Sequence, residues 1–522
     1  MDWDAGESSV SGYLSWAFHI LLLLGLSACA QQQIVPGQMT PEDATRTLRT
    51  TFQYIQAKYL YTPLLDVYSE AGLRNLAILD PALSLHDAGT TTELLYNGKA
   101  VYTFEPPPAD RPDAWANTIR RTLEAATEFS PAIAETSWDR RIDVVLAGSA
   151  ESLGRHAGYS SHDKISARRK ALEQNQGDLA ILLSKETDPP TLTQVQLGSA
   201  AEAAGLRAGD VLWKINGEAL AGMSAYDIEY KLAGAVDTQL TLDVSGPTGE
   251  DRRSVALRRE KVDLTDPVVR RLGRLLYFQF SQMIHTSNDK VREALEADLA
   301  KGEDRASGII LDLRGAVAPH PWLVRDLVQF FLGEESVYTS AGRDFGDWYP
   351  DWDEPLLPDV PLVVLQNGAT ETAAEAVSAA FGDLGRAVVV GTVSHGNGKI
   401  LTRSGLLNGG FIWFPTEEIY TAAEYPISDR GVMPIVCTAE AIATPTLPAK
   451  LHTGEGVLTW RERTQHVSRS SQAARDTFRA LCPPHNTSPD IDIEVARAIL
   501  EDSALYASIL HHGQRGAPPA RK

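Results

Sequence analysis

Apolar residues in the second half of the chain fall into short, nearly continuous runs, each bounded by glycine or polar residues. Runs of this length are typical of strands that are buried on both faces of a parallel sheet. An Ala-rich stretch at 372–381 lies between two of them and has the composition of a helix. We therefore predict an α/β domain over residues 265–440. Its strands are expected at Leu275–Phe280, Gly308–Leu313, Pro361–Leu365 and Ala387–Gly391, with a helix at Asp289–Gly302.

The flanking regions show helical periodicity instead. After a start at Thr40 or Pro41, one helix face is formed by Leu48, Phe52, Ile55 and Tyr59. We predict a mainly helical N-terminal region over 41–175, a helical C-terminal region over 441–510 and a disordered tail over 511–522.

Near the start of the chain, an apolar run from Ala17 to Leu26 precedes the sequence Leu-Ser-Ala-Cys29. That sequence resembles the lipobox of bacterial lipoproteins, in which the cysteine is lipidated and becomes the new N-terminus. We therefore predict a signal segment over 1–29, a tether over 30–40, and a membrane anchor through lipidated Cys29 on the periplasmic side of the bacterial cell envelope. The residues before the run are acidic, whereas signal peptides normally begin with basic ones, so a plain anchor or an uncleaved helix is the alternative.

The overall composition disfavours some classes of partner and ligand. The 522 residues carry a formal net charge of −20, which disfavours a nucleic-acid partner because phosphate binding needs clustered Lys and Arg. The three cysteines include no C-x-x-C pair, so we expect no zinc site. We also predict no other metal and no cofactor. If Cys29 is lipidated, Cys437 and Cys482 face an oxidising compartment, where they form a disulfide or remain two buried thiols.

Residues 176–260 alternate short apolar strands with glycine turns. Gly205–Asp210 predicts a turn into the strand Val211–Ile215, and Asn216-Gly217 is a tight hairpin signal. The stretch resembles a PDZ domain, whose family pattern is SPA-x-x-AGL-x-x-GD-x-I-x-x-ING. The resemblance implies a domain that adds an extended peptide to a strand edge and holds its C-terminal carboxylate on backbone N–H groups.

Within this domain, the resemblance implies a groove helix from Ser224 to Leu232 and a carboxylate-binding loop. The loop residues are Gly177, Asp178, Leu179 and Ala180. Asp178 would repel a carboxylate, which weakens the expectation of C-terminal capture. Unstructured protein C-termini or peptides are the expected partners.

The motifs after this domain are more specific. In chain order they are LDLR at 311–314, Asn367-Gly368, Glu375, Val390-Gly391, Gly396 and Gly398. Their order resembles the tail-specific proteases, or C-terminal processing peptidases, which place a PDZ domain before a catalytic domain with a Ser-Lys dyad. The resemblance covers about residues 45–440 and implies a multidomain α+β chain whose peptidase domain has a crotonase- or ClpP-like α/β fold.

The reacting positions depart from the family pattern. Aligning Glu375 places Thr372 at the nucleophile, and aligning the glycines places Asn397 at the Lys base and Leu401 at the orienting Gln. Asn cannot act as a general base near pH 7. Thr372 with Glu375 three residues later also fits a capping box, a role that needs no catalysis.

The oxyanion loop shows a similar departure. Where the family has N-x-P-G-G, this chain has Gly315, Ala316, Val317, Ala318 and Pro319. Proline has no N–H to donate, and a β-branched valine fits a strained loop poorly. Because the loss of a base or of an oxyanion donor each costs at least about two powers of ten in rate, the pattern indicates a retained scaffold whose chemistry has been lost.

A shifted base is the alternative. Lys399 lies two residues beyond Asn397, on the same face of a strand, and His395 directly precedes Gly396. Either residue would supply a base for Thr372. The competing interpretations are a surface lysine and a solvent-facing loop histidine.

Three functions are consistent with these patterns. The first is a cell-envelope pseudopeptidase that binds unstructured peptide tails without cutting them. The second is an active serine- or threonine-type peptidase with a Thr372/Lys399 or Thr372/His395 arrangement. The third is a hydrophobic-ligand carrier on the same fold, with a cleft lined by Trp322, Phe330, Phe331 and Trp413.

Overall fold

A computed structural model describes residues 34–518, except 36, 155, 167–169, 171–176, 185–187, 222, 224–227, 229–230, 262–266, 284, 319–326, 333–337, 343–354, 358, 440–446, 468–470 and 485–488. The predicted signal segment, with Cys29, lies outside these residues. The chain forms two compact units. Unit 1 holds the described residues up to Ser166 together with Arg403–Phe414, and unit 2 holds those of Ala167–Thr402 and Pro415–Lys522.

Unit 1 combines helices with a small antiparallel sheet. Its helices are Pro41–Lys58 (α1), Leu65–Arg74 (α2), Pro112–Phe129 (α3), Pro131–Glu135 (α4) and Trp138–Glu151 (α5), with a 3₁₀ turn at Asn75–Ile78. Its strands are Leu83–Asp87 (β1), Thr92–Tyr96 (β2), Lys99–Phe104 (β3) and Gly158–Ser160 (β4), of which β1, β2 and β3 form one sheet.

Helix α1 confirms the predicted apolar face, because Leu48, Phe52 and Ile55 are fully buried. Thr40 caps its N-terminus by accepting the N–H of Asp43, whose carboxylate accepts the N–H of Thr40 in return. The helical run is divided into α1 and α2. Pro63, between the two helices, cannot continue an α-helix from the preceding turn.

The first part of unit 2 is the PDZ-like domain. Its strands are Gly177–Asp178 (β5), Ile181–Leu183 (β6), Leu192–Val195 (β7), Val211–Ile215 (β8), Glu218–Ala219 (β9), Gln239–Ser245 (β10), Arg253–Arg258 (β11) and Glu260–Lys261 (β12), with a short helix at Ala200–Ala203 (α6). The main sheet has the order β11-β10-β8-β9, and β6 pairs with β7. The predicted hairpin at Asn216-Gly217 is confirmed: both residues have positive φ and join β8 to β9.

The second part of unit 2 is built on a six-stranded sheet. The remaining strands are Val268–Leu272 (β13), Leu275–Gln279 (β14), Gly308–Asp312 (β15), Val317–Ala318 (β16), Tyr338–Gly342 (β17), Leu362–Gln366 (β18), Glu371–Thr372 (β19), Val388–Gly391 (β20), Lys399–Gly405 (β21), Phe411–Thr421 (β22) and Val436–Cys437 (β23). The sheet order is β13-β14-β15-β18-β20-β23. All its pairs are parallel except β13 with β14.

Helices cross over between these strands and follow them. They are His285–Leu299 (α7), Ala373–Asp383 (α8), Leu447–Leu451 (α9), Trp460–Thr464 (α10), Gln472–Arg479 (α11), Pro489–Glu501 (α12) and Ser503–Gly513 (α13), with a 3₁₀ turn at Gly302–Asp304. The predicted α/β class is confirmed. Each of β14, β15, β18 and β20 is buried along its whole length, as the apolar runs indicated.

A disulfide, the end of the last helix and the absence of a membrane-spanning helix among the described residues bear on the predictions. The sulfurs of Cys437 and Cys482 form a disulfide, which resolves the alternatives that the sequence left open. Helix α13 ends at Gly513, so the described structure continues past residue 510. Across the described residues, no helix combines the length and the apolar composition needed to cross a membrane.

Candidate functional site

The turn that carries Thr372 lies between β18 and α8. Thr372 directly precedes α8 and has φ 54° and ψ −116°, a conformation that residues with a Cβ rarely adopt. The residue is only 6% exposed. It pairs with Ala318 in the parallel ladder between β16 and β19. The chain therefore turns sharply at the residue that the sequence places in the nucleophile position.

Two buried polar side chains fix this turn to the chain that follows β15. Asn367 Oδ1 accepts hydrogen bonds from the N–H groups of Gly315 and Ala369, both at 3.0 Å. Thr370 Oγ1 donates to the carbonyl of Leu313 at 2.8 Å and accepts the N–H of Asn367 at 3.0 Å. Because these bonds lie away from solvent, the path of the turn is set by the core of the domain.

Glu375 joins the turn to the loop after β20. Its Oε1 accepts the Ser394 hydroxyl at 2.5 Å and the Gly396 N–H at 2.7 Å. Its Oε2 accepts the Thr372 N–H at 3.0 Å and the Asn397 N–H at 2.9 Å. One carboxylate oxygen thus binds both Thr372 and Asn397, the residues that the sequence predicts at the nucleophile and base positions.

The electrostatic state of Glu375 reflects two opposing effects. Burial raises the pKa of this carboxyl to about 7, while the hydrogen bond from Ser394 and the neighbouring His395 act in the other direction. The carboxylate is fully buried and accepts four hydrogen bonds, so its donors fix its place and orientation. Through these contacts Glu375 links the turn before α8 to the loop after β20, and we call this its bracket role.

The two proposed substitute bases lie in different settings. His395 Nδ1 is 3.8 Å from Glu371 Oε1, and the His395 N–H donates to the Thr370 carbonyl at 3.1 Å. Lys399 opens β21 and is 7% exposed, and Leu401 lies two residues further along the same strand. The interpretations of a surface lysine and a solvent-facing histidine are wrong, since the His395 side chain is also only 15% exposed.

Asn397, which the sequence predicts at the position of the family base, cannot replace the chemistry of that base. Its backbone N–H donates to Glu375, and its side-chain Oδ1 is buried with no hydrogen-bond partner among the described residues. An amide oxygen in this environment is a weak acceptor of protons and cannot activate a hydroxyl.

The predicted oxyanion loop is engaged by the protein itself. The N–H of Gly315 donates to Asn367 Oδ1, that of Ala316 to the Leu313 carbonyl at 3.0 Å, and that of Val317 to the Ser281 carbonyl at 3.0 Å. Ala318 lies in the ladder with Thr372. An oxyanion role for this loop stays a prediction, and in this arrangement the first three N–H groups already have acceptors. Pro319 lies outside the described residues.

The predicted peptide-binding loop of the PDZ-like domain consists of β5, which is Gly177–Asp178, and of the two residues that lead from β5 to β6. The Asp178 carboxylate oxygen Oδ1 accepts the N–H groups of both Leu179, at 2.6 Å, and Ala180, at 2.9 Å. Ala180 has φ 58°, and Gly177 exchanges hydrogen bonds with Gly234. Most of the predicted groove helix lies outside the described residues.

The LDLR motif has a structural role. Asp312 and Arg314 form a doubly bonded ion pair, at 2.9 and 2.6 Å, and Arg314 also binds Asp492 at 3.0 Å. The PDZ-like strand β7 reaches this region, because Gln194 Nε2 donates to the carbonyls of Phe280 and Arg314 at 2.6 and 2.9 Å. A cavity of about 120 Å³ lies here between the two domains of unit 2.

Sequence reasoning missed a set of contacts, called here the brace, that hold the loop after β20 from behind. Arg479 Nη1 donates to the carbonyls of Ser394 at 3.1 Å and Arg430 at 3.0 Å, and Val393 donates its N–H to the carbonyl of Cys482. The disulfide ties this C-terminal segment to β23. The only signal in the sequence was the pair of cysteines 45 residues apart, because Ser394 and Arg479 stand in no recognisable motif.

Two of the four aromatic residues proposed for a ligand cleft are core residues. Phe330 and Phe331 are buried in the core of unit 2, where Phe331 meets Phe381 edge to face. Trp413 belongs to unit 1 and covers Gly158. Trp322 lies outside the described residues. Within the described chain, no group of three or more His, Cys, Asp or Glu side chains is arranged to hold a metal ion.

The fold and the site define a PDZ-bearing protein with a peptidase-type α/β domain, and comparison with known proteins agrees. The sequence pattern of peptidase family S41 matches residues 274–436, and that of a PDZ domain matches residues 191–245. The structure resembles that of a photosystem II D1 C-terminal processing protease, with a TM-score of 0.52 and 17% identity over 77% of this chain and 98% of the other.

Curated relatives lead to the same family. A carboxy-terminal-processing protease of Bartonella bacilliformis is 23% identical over 374 residues, which cover 70% of this chain and 84% of that protein. A carboxyl-terminal-processing protease of Picosynechococcus is 28% identical over 262 residues, covering 49% of this chain and 62% of that protein. The chain belongs to the S41 family of C-terminal processing peptidases with a PDZ domain.

Proposed function

We propose that this chain is a non-cleaving member of the family, which binds unstructured C-terminal segments of proteins through its PDZ domain. A PDZ domain suggests peptide C-termini as ligands. The observation that carries the loss of cleavage is Asn397: it is held beside Thr372 by Glu375, at the position of the family base. The engaged N–H groups of the 315–317 loop support the same conclusion.

A degradation assay tests this proposal. Casein and a tagged unstructured peptide are incubated with the wild-type chain, with Thr372→Ala, and with the double variant Thr372→Ser/Asn397→Lys. We expect no cleavage by the first two proteins and binding of the peptide by both. Cleavage by the wild type that is lost in Thr372→Ala would overturn the proposal. Cleavage by the double variant alone would identify the missing base as the cause.

A second candidate is an active threonine-type peptidase that uses Thr372 with Lys399 or His395. Two observations favour it: the positive φ of Thr372, a kind of strain that clusters at active sites, and the burial of Lys399. Single variants Lys399→Ala and His395→Ala discriminate between the two bases if the wild type proves active. If both variants cleaved at the wild-type rate, both pairings would be excluded.

For the location, the proposal is the bacterial cell envelope, with attachment through lipidated Cys29. The Cys437–Cys482 disulfide supports it, because disulfides persist mainly in oxidising compartments. Fractionation of cells that express the wild type or Cys29→Ala tests the anchor. We expect the wild type with the membranes and the variant in the soluble fraction; membrane retention of the variant would contradict lipidation at Cys29.

A further inference from the structure

In the loop that the sequence predicts to bind a ligand carboxylate, the acceptor of the N–H groups is a carboxylate of the protein itself. Two consecutive N–H groups, of Leu179 and Ala180, converge on one oxygen of Asp178 at 2.6 and 2.9 Å. Convergent backbone N–H groups of this kind form the pockets in which PDZ-type domains hold a carboxylate end. In this chain the negative charge comes from the loop itself.

The position of the loop relates it to the peptide-binding edge. Ala180 leads into β6, which pairs with β7 and, among the described strands, with no other. Leu179 and Ile181 share one apolar cluster with Ile228 and Leu232. A peptide added to the open edge of β6 would therefore have its end at the loop that Asp178 caps.

We infer that Asp178 fills the carboxylate subsite permanently, so that this domain binds extended peptide segments without recognising a free C-terminal carboxylate. An incoming carboxylate would have to displace a side chain attached to the same loop, which competes at high effective concentration. It would also meet the charge of Asp178. This inference rests on the proposed peptide-binding function and specifies its ligand: a segment whose end group, acid or amide, makes no difference.

The experiment uses the full chain and two synthetic pools of the same degenerate octapeptides, one with free C-terminal carboxylates and one with C-terminal amides. Bound peptides are identified by mass spectrometry. The best binders are then measured individually by fluorescence polarisation, as matched acid and amide pairs. For the wild type we expect Kd values for acid and amide that agree within about threefold, since the carboxylate gains no new hydrogen bond.

Two variants distinguish occupation of the N–H groups by Asp178 from repulsion by its negative charge. Asp178→Ala frees both N–H groups, and we expect the acid peptide to bind about tenfold more tightly than the amide. Asp178→Asn is the matched control, because it removes the charge but keeps an oxygen that can accept both N–H groups. We expect Asp178→Asn to bind acid and amide equally, and thermal unfolding verifies that each variant is folded.

Three results would overturn the inference. They are a tenfold acid preference in the wild type, no acid preference in Asp178→Ala, and an acid preference in Asp178→Asn equal to that in Asp178→Ala, which would make charge repulsion the cause. If neither pool binds to any of the three proteins, the proposed peptide-binding function itself fails. That outcome is distinct from binding without the expected acid-to-amide ratios.

Discussion

Two loops of this molecule, 177–180 and 315–318, are the ones predicted from the sequence to hold a negative charge of a ligand on backbone N–H groups. In both, N–H groups are occupied by acceptors of the protein itself. The acceptors differ. In the PDZ loop a single half-buried side chain, Asp178, takes both N–H groups. In the peptidase loop three N–H groups go to separate acceptors: a side chain and two main-chain carbonyls.

This difference determines how easily each loop can be opened. A site closed by one side chain on the surface of a domain is opened by one substitution at small cost in stability. A site closed by main-chain bonds inside a core cannot be opened without disturbing that core. We therefore expect the N–H groups of the 177–180 loop to be freed by one substitution, whereas freeing those of the 315–317 loop would require a rearranged loop.

The largest effect is expected at Glu375, which holds the peptidase site together. Glu375→Ala would leave three backbone N–H groups and the Ser394 hydroxyl without their acceptor inside the domain. We expect a loss of about 4 kcal/mol in the free energy of unfolding, measured by urea denaturation. Glu371→Ala, at a neighbouring and more exposed carboxylate, is the control and should cost less than about 1 kcal/mol. Equal losses in both variants would contradict the bracket role.

The raised pKa of Glu375 predicts that the free energy of unfolding depends on pH. The unfolded chain releases the Glu375 proton near the ordinary pKa of 4.5, whereas the folded state retains it to about 7. Between these values the folded state binds more protons, so the stability contributed by this group decreases as the pH rises, by up to about 3 kcal/mol. Unfolding of the wild type and of Glu375→Gln at pH values from 4 to 8 isolates the effect. A stability difference that does not change with pH would show that Glu375 titrates normally.

A smaller effect is expected at Asn367, the side-chain acceptor of the peptidase loop. Asn367→Ala removes the oxygen that accepts the N–H groups of Gly315 and Ala369, and all three residues are buried. We expect a loss of about 2 kcal/mol in the free energy of unfolding, without any gain of peptidase activity. Cleavage of casein by this variant would show that one side chain alone keeps the loop closed.

The smallest effect on stability is expected at Asp178. Asp178→Ala removes the same number of hydrogen bonds as Asn367→Ala, but the Asp178 residue is partly exposed, so water can replace the lost acceptor. We expect the free energy of unfolding to fall by less than about 1 kcal/mol. A loss as large as that of Asn367→Ala would mean that the two loops are closed in equivalent ways.

Much of the fold could be predicted because its signals are local. The buried strands of the central sheet were visible as apolar runs, and the Asn216-Gly217 turn and the Thr40 cap were visible as short motifs. Other features depended on distant partners. The burial of Lys399 and the brace from Arg479 and Cys482 arise where segments far apart in the chain meet, and no periodicity records such meetings.

The sequence by itself determined the family and predicted the exchanged residues, Thr372, Asn397 and Leu401, because motif spacing survives as a one-dimensional pattern. Only the tertiary structure decided which acceptors the nearby N–H donors have. Which N–H group meets which acceptor depends on the position of loops in space. Asp178, expected only to repel a ligand carboxylate, accepts the N–H groups of Leu179 and Ala180.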